Sequence, residues 1–183
     1  MLPKDERHLL KKIARDSISY GLKYDEAMPV ELGVLPPSFT QLSACFVTLY
    51  RSGALRGCVG SLQAHRPLAV DVAKNAYSAA FRDCRFKPVD KTVLPELDIH
   101  IAILTPANEI ACTTEQDLLA QLRPGIDGLI IEDKDHRATF LPAVWESLPN
   151  PERFVQELKC KAGLASDYWS AQLHCYRYQV ESF

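Results

Sequence analysis

Residues 44 to 60, ACFVTLYRSGALRGCVG, place two apolar runs on either side of Arg51-Ser52-Gly53. Such runs around a short glycine-containing turn predict a β-hairpin. The period then changes. From Pro67 to Arg82, Ala69, Val72, Ala73, Ala76 and Ala80 recur at helical spacing, and a stripe of small side chains lets a helix lie close to whatever it covers. Pro67 suits the first turn, where its missing N–H is no loss. Leu97 to Leu104, LDIHIAIL, alternates strictly, with Leu97, Ile99, Ile101 and Ile103 on one face and Asp98, His100 and Ala102 on the other.

Further out the pattern stays mixed. Lys4 to Leu22 predicts an amphipathic helix, with Leu10, Ile13, Ala14 and Ser17 on its inner stripe and Gly21 ending it. Lys23 to Ser43 reads as irregular, interrupted by Pro29, Gly33, Pro36 and Pro37. Thr113 predicts the cap of a short helix to Leu122, with Gln116 reaching back to it. A second hairpin is expected from Leu129 to Glu132 and Ala138 to Leu141. Asn150-Pro151 then opens a helix that Gly163 closes, and Gln172 to Val180 reads as a closing strand. Hairpins and helices without regular βαβ alternation predict an α+β fold, a largely antiparallel sheet flanked by helices.

Composition bounds the function. The chain has 183 residues, 47% hydrophobic and 24% charged, enough apolar material for a real core and too much for intrinsic disorder. That length predicts a single domain over residues 1–183, with room for two subdomains. A net charge of -2 provides no field for nucleic acid, and Lys159-Cys160-Lys161 has no aromatic interleaving. No run of about eighteen apolar residues predicts a membrane span, and the opening MLPKDERHLLKK does not read as a secretory signal. The six cysteines include no CxxC pair. Together these features predict a cytoplasmic protein whose thiols are mostly small buried hydrophobes. Neither G-x-G-x-x-G nor G-x-x-x-x-G-K-[ST] occurs, and the five histidines show no HxH or HxxxH spacing, so no cofactor and no metal is expected.

One stretch stands apart: Leu55-Arg56-Gly57-Cys58-Val59-Gly60. In a regular strand Arg56 and Cys58 share a face, about 7 Å apart at the backbone. Glycines within a strand mark a bulge or a close approach by a ligand or another backbone, so Gly57 and Gly60 are candidate substrate contacts. A guanidinium beside a thiol favours the thiolate, which is the nucleophilic form. Arg56 and Cys58 are therefore candidate catalytic residues, with Arg56 also placed to anchor an anion. The competing reading makes Cys58 a packing residue and pairs Arg56 with a carboxylate. Phe81-Arg82-Asp83-Cys84-Arg85-Phe86 forms a second cluster, in which Asp83 is placed to hold Arg85 or Arg56 near the ligand. Its plainer reading is a helix-end cap with Phe81 and Phe86 in the core.

LRGCVG, followed in order by DCRF, LTP, PGIDGLII, TFLPAVW and KAGL, closely resembles the AMMECR family, known in bacteria and archaea as AmmeMemoRadiSam system protein A. The likeness runs from Phe46 to Phe183. Val59 stands where the family's LRGCIG has isoleucine, and Cys84 and Lys87 stand where its DPRFPP has prolines, departures that keep Asp83 and Arg85. The resemblance implies an α+β fold with a larger and a smaller subdomain and the LRGCVG stretch at the cleft between them. It also implies a shared pathway with a radical SAM enzyme and a Memo-like protein. Two functions follow as expectations: a cysteine-dependent group transfer on a small anionic substrate, or a non-catalytic accessory protein that binds a small molecule, a peptide or those partners.

Overall fold

The hairpin forms where the sequence predicts it. In a computed structural model describing residues 1–183, β1 (Leu42–Arg51) runs antiparallel to β2 (Ala54–Gly60). Ser52 and Gly53 join them, both at positive φ (50° and 78°), as a two-residue turn of type I′ geometry requires. By contacts within the chain, Met1–Leu104 with Glu181–Phe183 form one compact unit and Thr105–Val180 form another.

In the first unit, β4 (Leu97–Leu104) pairs antiparallel with the other side of β1, and β9 (Val180–Ser182) follows β4, giving the order β2-β1-β4-β9. The two-residue β3 (Arg66–Pro67) pairs with the start of β1. Alternation sorts the sheet into two faces. Cys45, Val47, Leu49, Ile99 and Ile101 are buried, as are Ala69, Val72, Ala73, Ala76 and Ala80 of helix α3 (Leu68–Phe81), and all of them belong to one core cluster. Pro67 is the cap of α3 rather than its first residue, because it is still paired in β3. The other face carries Phe46, Thr48, Tyr50, Cys58, Asp98 and His100, none fully buried.

Helix α1 (Lys4–Tyr24) buries Leu10, Ile13, Ala14 and Ser17 as predicted but runs past Gly21, ending at Asp25 in the left-handed region (φ 54°). Gly21 is a contact point and not a stop: a Cβ there would lie 2.7 Å from ring atoms of Tyr77 and Phe81 on α3. The expected irregular stretch is shorter than Lys23 to Ser43: α1 takes its first two residues and β1 its last two, and residues 25–41 between them are mostly irregular, with one 3-10 turn, Leu32–Val34, and the four-residue α2 (Pro37–Thr40).

The second unit holds a four-stranded antiparallel sheet in the order β5-β8-β6-β7, from β5 (Asn108–Glu109), β6 (Gly128–Asp133), β7 (His136–Phe140) and β8 (His174–Tyr178). Helix α4 (Glu115–Gln121) is capped by Thr114, whose hydroxyl accepts from the Asp117 N–H while Asp117 reaches back to Thr114. Thr113 therefore sits one residue too early to be the cap, and Asp117 fills the role predicted for Gln116. Helix α5 (Pro151–Lys161) opens on Asn150 as expected, and Gly163 follows it at φ 79°. The predicted closing strand is two strands: β8 belongs to this sheet, and β9 belongs to the sheet of the first unit. No helix is long and apolar enough to cross a membrane.

Candidate functional site

Cys58 lies on β2, at the edge of its sheet. Its neighbour across the strand pair is Thr48, and Thr48's neighbour on the next strand is His100. The three form a row across the open face. Cys58 Sγ is 3.3 Å from Thr48 Oγ1 and is partly exposed. His100 Nε2 is 2.8 Å from Asp98 Oδ2, and its ring meets the edge of Tyr50 at 5.1 Å. The hydrogen bond with His100, above all, holds the Asp98 carboxyl below its ordinary range.

The main chain of Cys58 is held from outside the sheet. Its N–H donates to Asp83 Oδ2 at 2.9 Å, and its carbonyl accepts from Arg85 Nη2 at 3.2 Å. Both partners lie on the loop after α3, so this loop covers an edge that would otherwise present unpaired backbone groups. Asp83 and Arg85 are bound to each other by Nε to Oδ1 at 2.9 Å and Nη2 to Oδ2 at 2.7 Å. The hydrogen bonds from Arg85, helped by the Cys58 N–H, outweigh burial and hold the Asp83 carboxyl well below the usual carboxylate range. Arg85 in turn keeps its proton more tightly, chiefly through its hydrogen bonds to Asp83.

Arg56 does not lie beside the thiol by simple alternation. The register shifts opposite Leu49 and Tyr50, so that Leu55 pairs with Tyr50 but Gly57 pairs with Leu49, leaving Arg56 as the extra residue of a β-bulge. Its Nη2 donates to the carbonyls of Lys87 and Pro88, while its Nη1 is buried without a hydrogen-bond partner. Thus Asp83 holds Arg85, and Arg56 holds the far end of the same loop.

The glycines are explained by the protein's own atoms. A Cβ on Gly57 would lie 2.1 Å from the Ala79 carbonyl oxygen of α3, and one on Gly60 would lie 2.3 Å from the Phe46 ring. The close approach predicted at Gly57 and Gly60 is made by α3 and Phe46, and neither glycine offers its Cβ side to a substrate.

Sequence spacing missed Thr48 and a buried polar cluster on the other face. Asp71, fully buried on the first turn of α3, accepts from Cys45 N at 3.0 Å, Ser61 Oγ at 2.9 Å, Arg66 Nε at 3.0 Å and Asn75 Nδ2 at 3.0 Å. Burial first, then Asp71, pushes the Cys45 thiol well up, so this second cysteine is inert packing. The signal was an Asp and an Asn four residues apart within an apolar helix. No group of three His, Cys, Asp or Glu side chains is placed to hold a metal ion.

The AMMECR1 family profile matches residues 11–183. A protein of Methanothermobacter thermautotrophicus is 34% identical over all of this chain and 95% of its own length. A Thermotoga maritima protein is 31% identical over 94% of this chain and 92% of its own. The crystal structure of the uncharacterized protein PH0010 from Pyrococcus horikoshii matches with a TM-score of 0.84 at 29% identity, covering 99% of this chain and 92% of that one. With near-complete coverage in sequence and in fold, the chain belongs to the AMMECR1 family.

Proposed function

We propose that this protein acts through Cys58 as a nucleophile or covalent carrier in group transfer on a small anionic substrate. One observation carries the reading: the Cys58 peptide is clamped at both its N–H and its C=O by Asp83 and Arg85, while its sulfur stays on the open face with only a hydroxyl beside it. Arg85, whose Nη2 donates to the Cys58 carbonyl at 3.2 Å and whose side chain is 55% exposed, carries a permanent positive charge beside that residue, suited to an anionic substrate. For acyl transfer, the sulfur bonds to the acyl carbon and the bond from that carbon to its leaving group breaks. The leaving group departs with the thiol proton, and attack by an acceptor on the thioester restores the thiol.

Competitive alkylation with iodoacetamide at neutral pH, read by mass spectrometry, tests this. Cys84 and Cys160 are exposed and serve as internal references. Cys58 is expected to label faster than both despite its lower exposure; labelling slower than both ends the nucleophile reading. A second reading, a non-catalytic accessory to a radical SAM enzyme and a Memo-like protein, is favoured by the sulfur's partner being a hydroxyl and not a base. Cys58→Ser separates the two: it abolishes pathway function in a complementation assay if the sulfur forms bonds, and leaves it intact if the residue only packs.

A further inference from the structure

The Thr105–Val180 unit carries a cavity of about 280 Å³ whose wall includes Thr105, Arg123, Asp127, Arg177 and Gln179. Asp127 is fully buried and grips Arg123 with both oxygens, Nε to Oδ2 at 3.0 Å and Nη2 to Oδ1 at 2.7 Å, with the Arg123 N–H adding a third bond at 3.1 Å. The Asp127 carbonyl is fixed in turn by Trp145 Nε1 at 2.7 Å. Arg123 is therefore preset before any ligand arrives.

Its grip on Asp127 spends Nε and Nη2 and leaves Nη1 free. Arg177 spends only Nη1, on the Gln121 carbonyl at 3.3 Å. The Gln179 side chain makes no hydrogen bond within the protein, and the Thr105 hydroxyl accepts from Gln179 N at 2.8 Å with its own proton unspent. Two guanidinium groups against one carboxylate, itself spent on Arg123, leave the wall net positive and with several free donors. Fixed arginine forks match the planar or tetrahedral oxygens of carboxylate and phosphate, and the volume falls just under the range of drug-sized pockets.

We propose that this cavity binds a small oxyanion, the phosphate or carboxylate group of a low-molecular-weight ligand, between Arg123 and Arg177. The site is independent of Cys58 and stands whether or not that thiol is reactive. The test is an NMR titration of the whole ¹⁵N-labelled protein with inorganic phosphate and, separately, with succinate, at constant ionic strength set by chloride. Saturable shifts are expected at the amides of Thr105, Arg123 and Gln179, with the amides of β2 unmoved. Arg177→Gln touches a single carbonyl of the fold and is expected to weaken binding about tenfold, the effect of losing one charge-assisted hydrogen bond. Arg177→Lys, which keeps the charge and loses the fork, falls between. Tighter binding of phosphate assigns the phosphate class, and tighter binding of succinate the carboxylate class. Saturation by neither anion, or an affinity unchanged in Arg177→Gln, overturns the proposal.

Discussion

Asp83 ties the loop after α3 to Cys58, and its replacement has a size that the geometry sets. Its side chain is 5% exposed while its partner Arg85 is 55% exposed. Oδ2 accepts from Cys58 N and Arg85 Nη2; Oδ1 accepts from Arg85 N and Nε. Asp83→Ala removes all four bonds. Arg85 then turns to water, but the Cys58 N–H faces a cavity. An unsatisfied buried donor costs about 1–3 kcal/mol, and the lost charge-assisted pair adds about 1 kcal/mol. We expect about 2–4 kcal/mol in total, a fall in Tm of roughly 4–16 °C for a chain of this size. Asp83→Asn is milder, about 1–2 kcal/mol, because its amide can turn its oxygen toward Cys58 N and leave Arg85, the exposed partner, to be hydrated. Urea unfolding with an unchanged m-value reads the stability, and hydrogen exchange at the Cys58 amide reads the clamp. The pH dependence has a definite sign. Since the folded-state carboxyl is depressed, its contribution is complete above the unfolded value of about 3.9 and is lost as pH falls through the folded one. The gap between wild type and Asp83→Ala is therefore constant from pH 5 to 7 and shrinks under acid. An unchanged urea midpoint, with Cys58 amide exchange as slow as in wild type, refutes the clamp.

Gly57→Ala drives a Cβ to 2.1 Å from the Ala79 carbonyl oxygen, a backbone atom that moves only with α3; overpacking of this kind costs about 1–3 kcal/mol or more, measured by thermal melting against Gly33→Ala, whose Cβ meets nothing within 4 Å. Equal melting temperatures for the two variants would dispose of that contact. Thr114→Ala removes the hydroxyl that accepts from the Asp117 N–H at 3.1 Å and is expected to cost about 1 kcal/mol, whereas Thr113→Ala, outside the cap position, costs less by the same urea assay.

What could be read from sequence was what depends on period. The alternation of Leu97 to Leu104 and the alanine stripe of α3 each report a face, and each face is where the period puts it. Signals that depend on a neighbour were not readable. Gly21 looks like a helix stop, yet it sits within α1 because Tyr77 and Phe81 occupy the space of a side chain. Thr113 and Thr114 are chemically equal as caps, and only the position of Asp117 separates them. At the site, LRGCVG announced itself by its glycines, but the bulge at Arg56 belongs to the pairing with Leu49 and Tyr50 and leaves no local mark. Thr48 and His100 join Cys58 only through cross-strand register, which a single strand does not encode.

The same register separates what LRGCVG does for the fold from what it leaves over. Gly57 admits the backbone of α3 against β2, and the loop that follows α3 returns Asp83 and Arg85 to the N–H and C=O of Cys58. Arg56 fastens the end of that loop through the Lys87 and Pro88 carbonyls. The loop contacts close the free edge of β2, and all of these contacts are met by backbone atoms of residue 58 or by its neighbours. A serine, alanine or valine at position 58 offers the same N–H and the same C=O. The clamp therefore accounts for a fixed residue here without accounting for a cysteine, and core packing does not account for one either, since the side chain sits on the open face beside Thr48 and outside the buried cluster. The sulfur is the part of the motif that folding leaves unexplained, and that is why the functional reading rests on it.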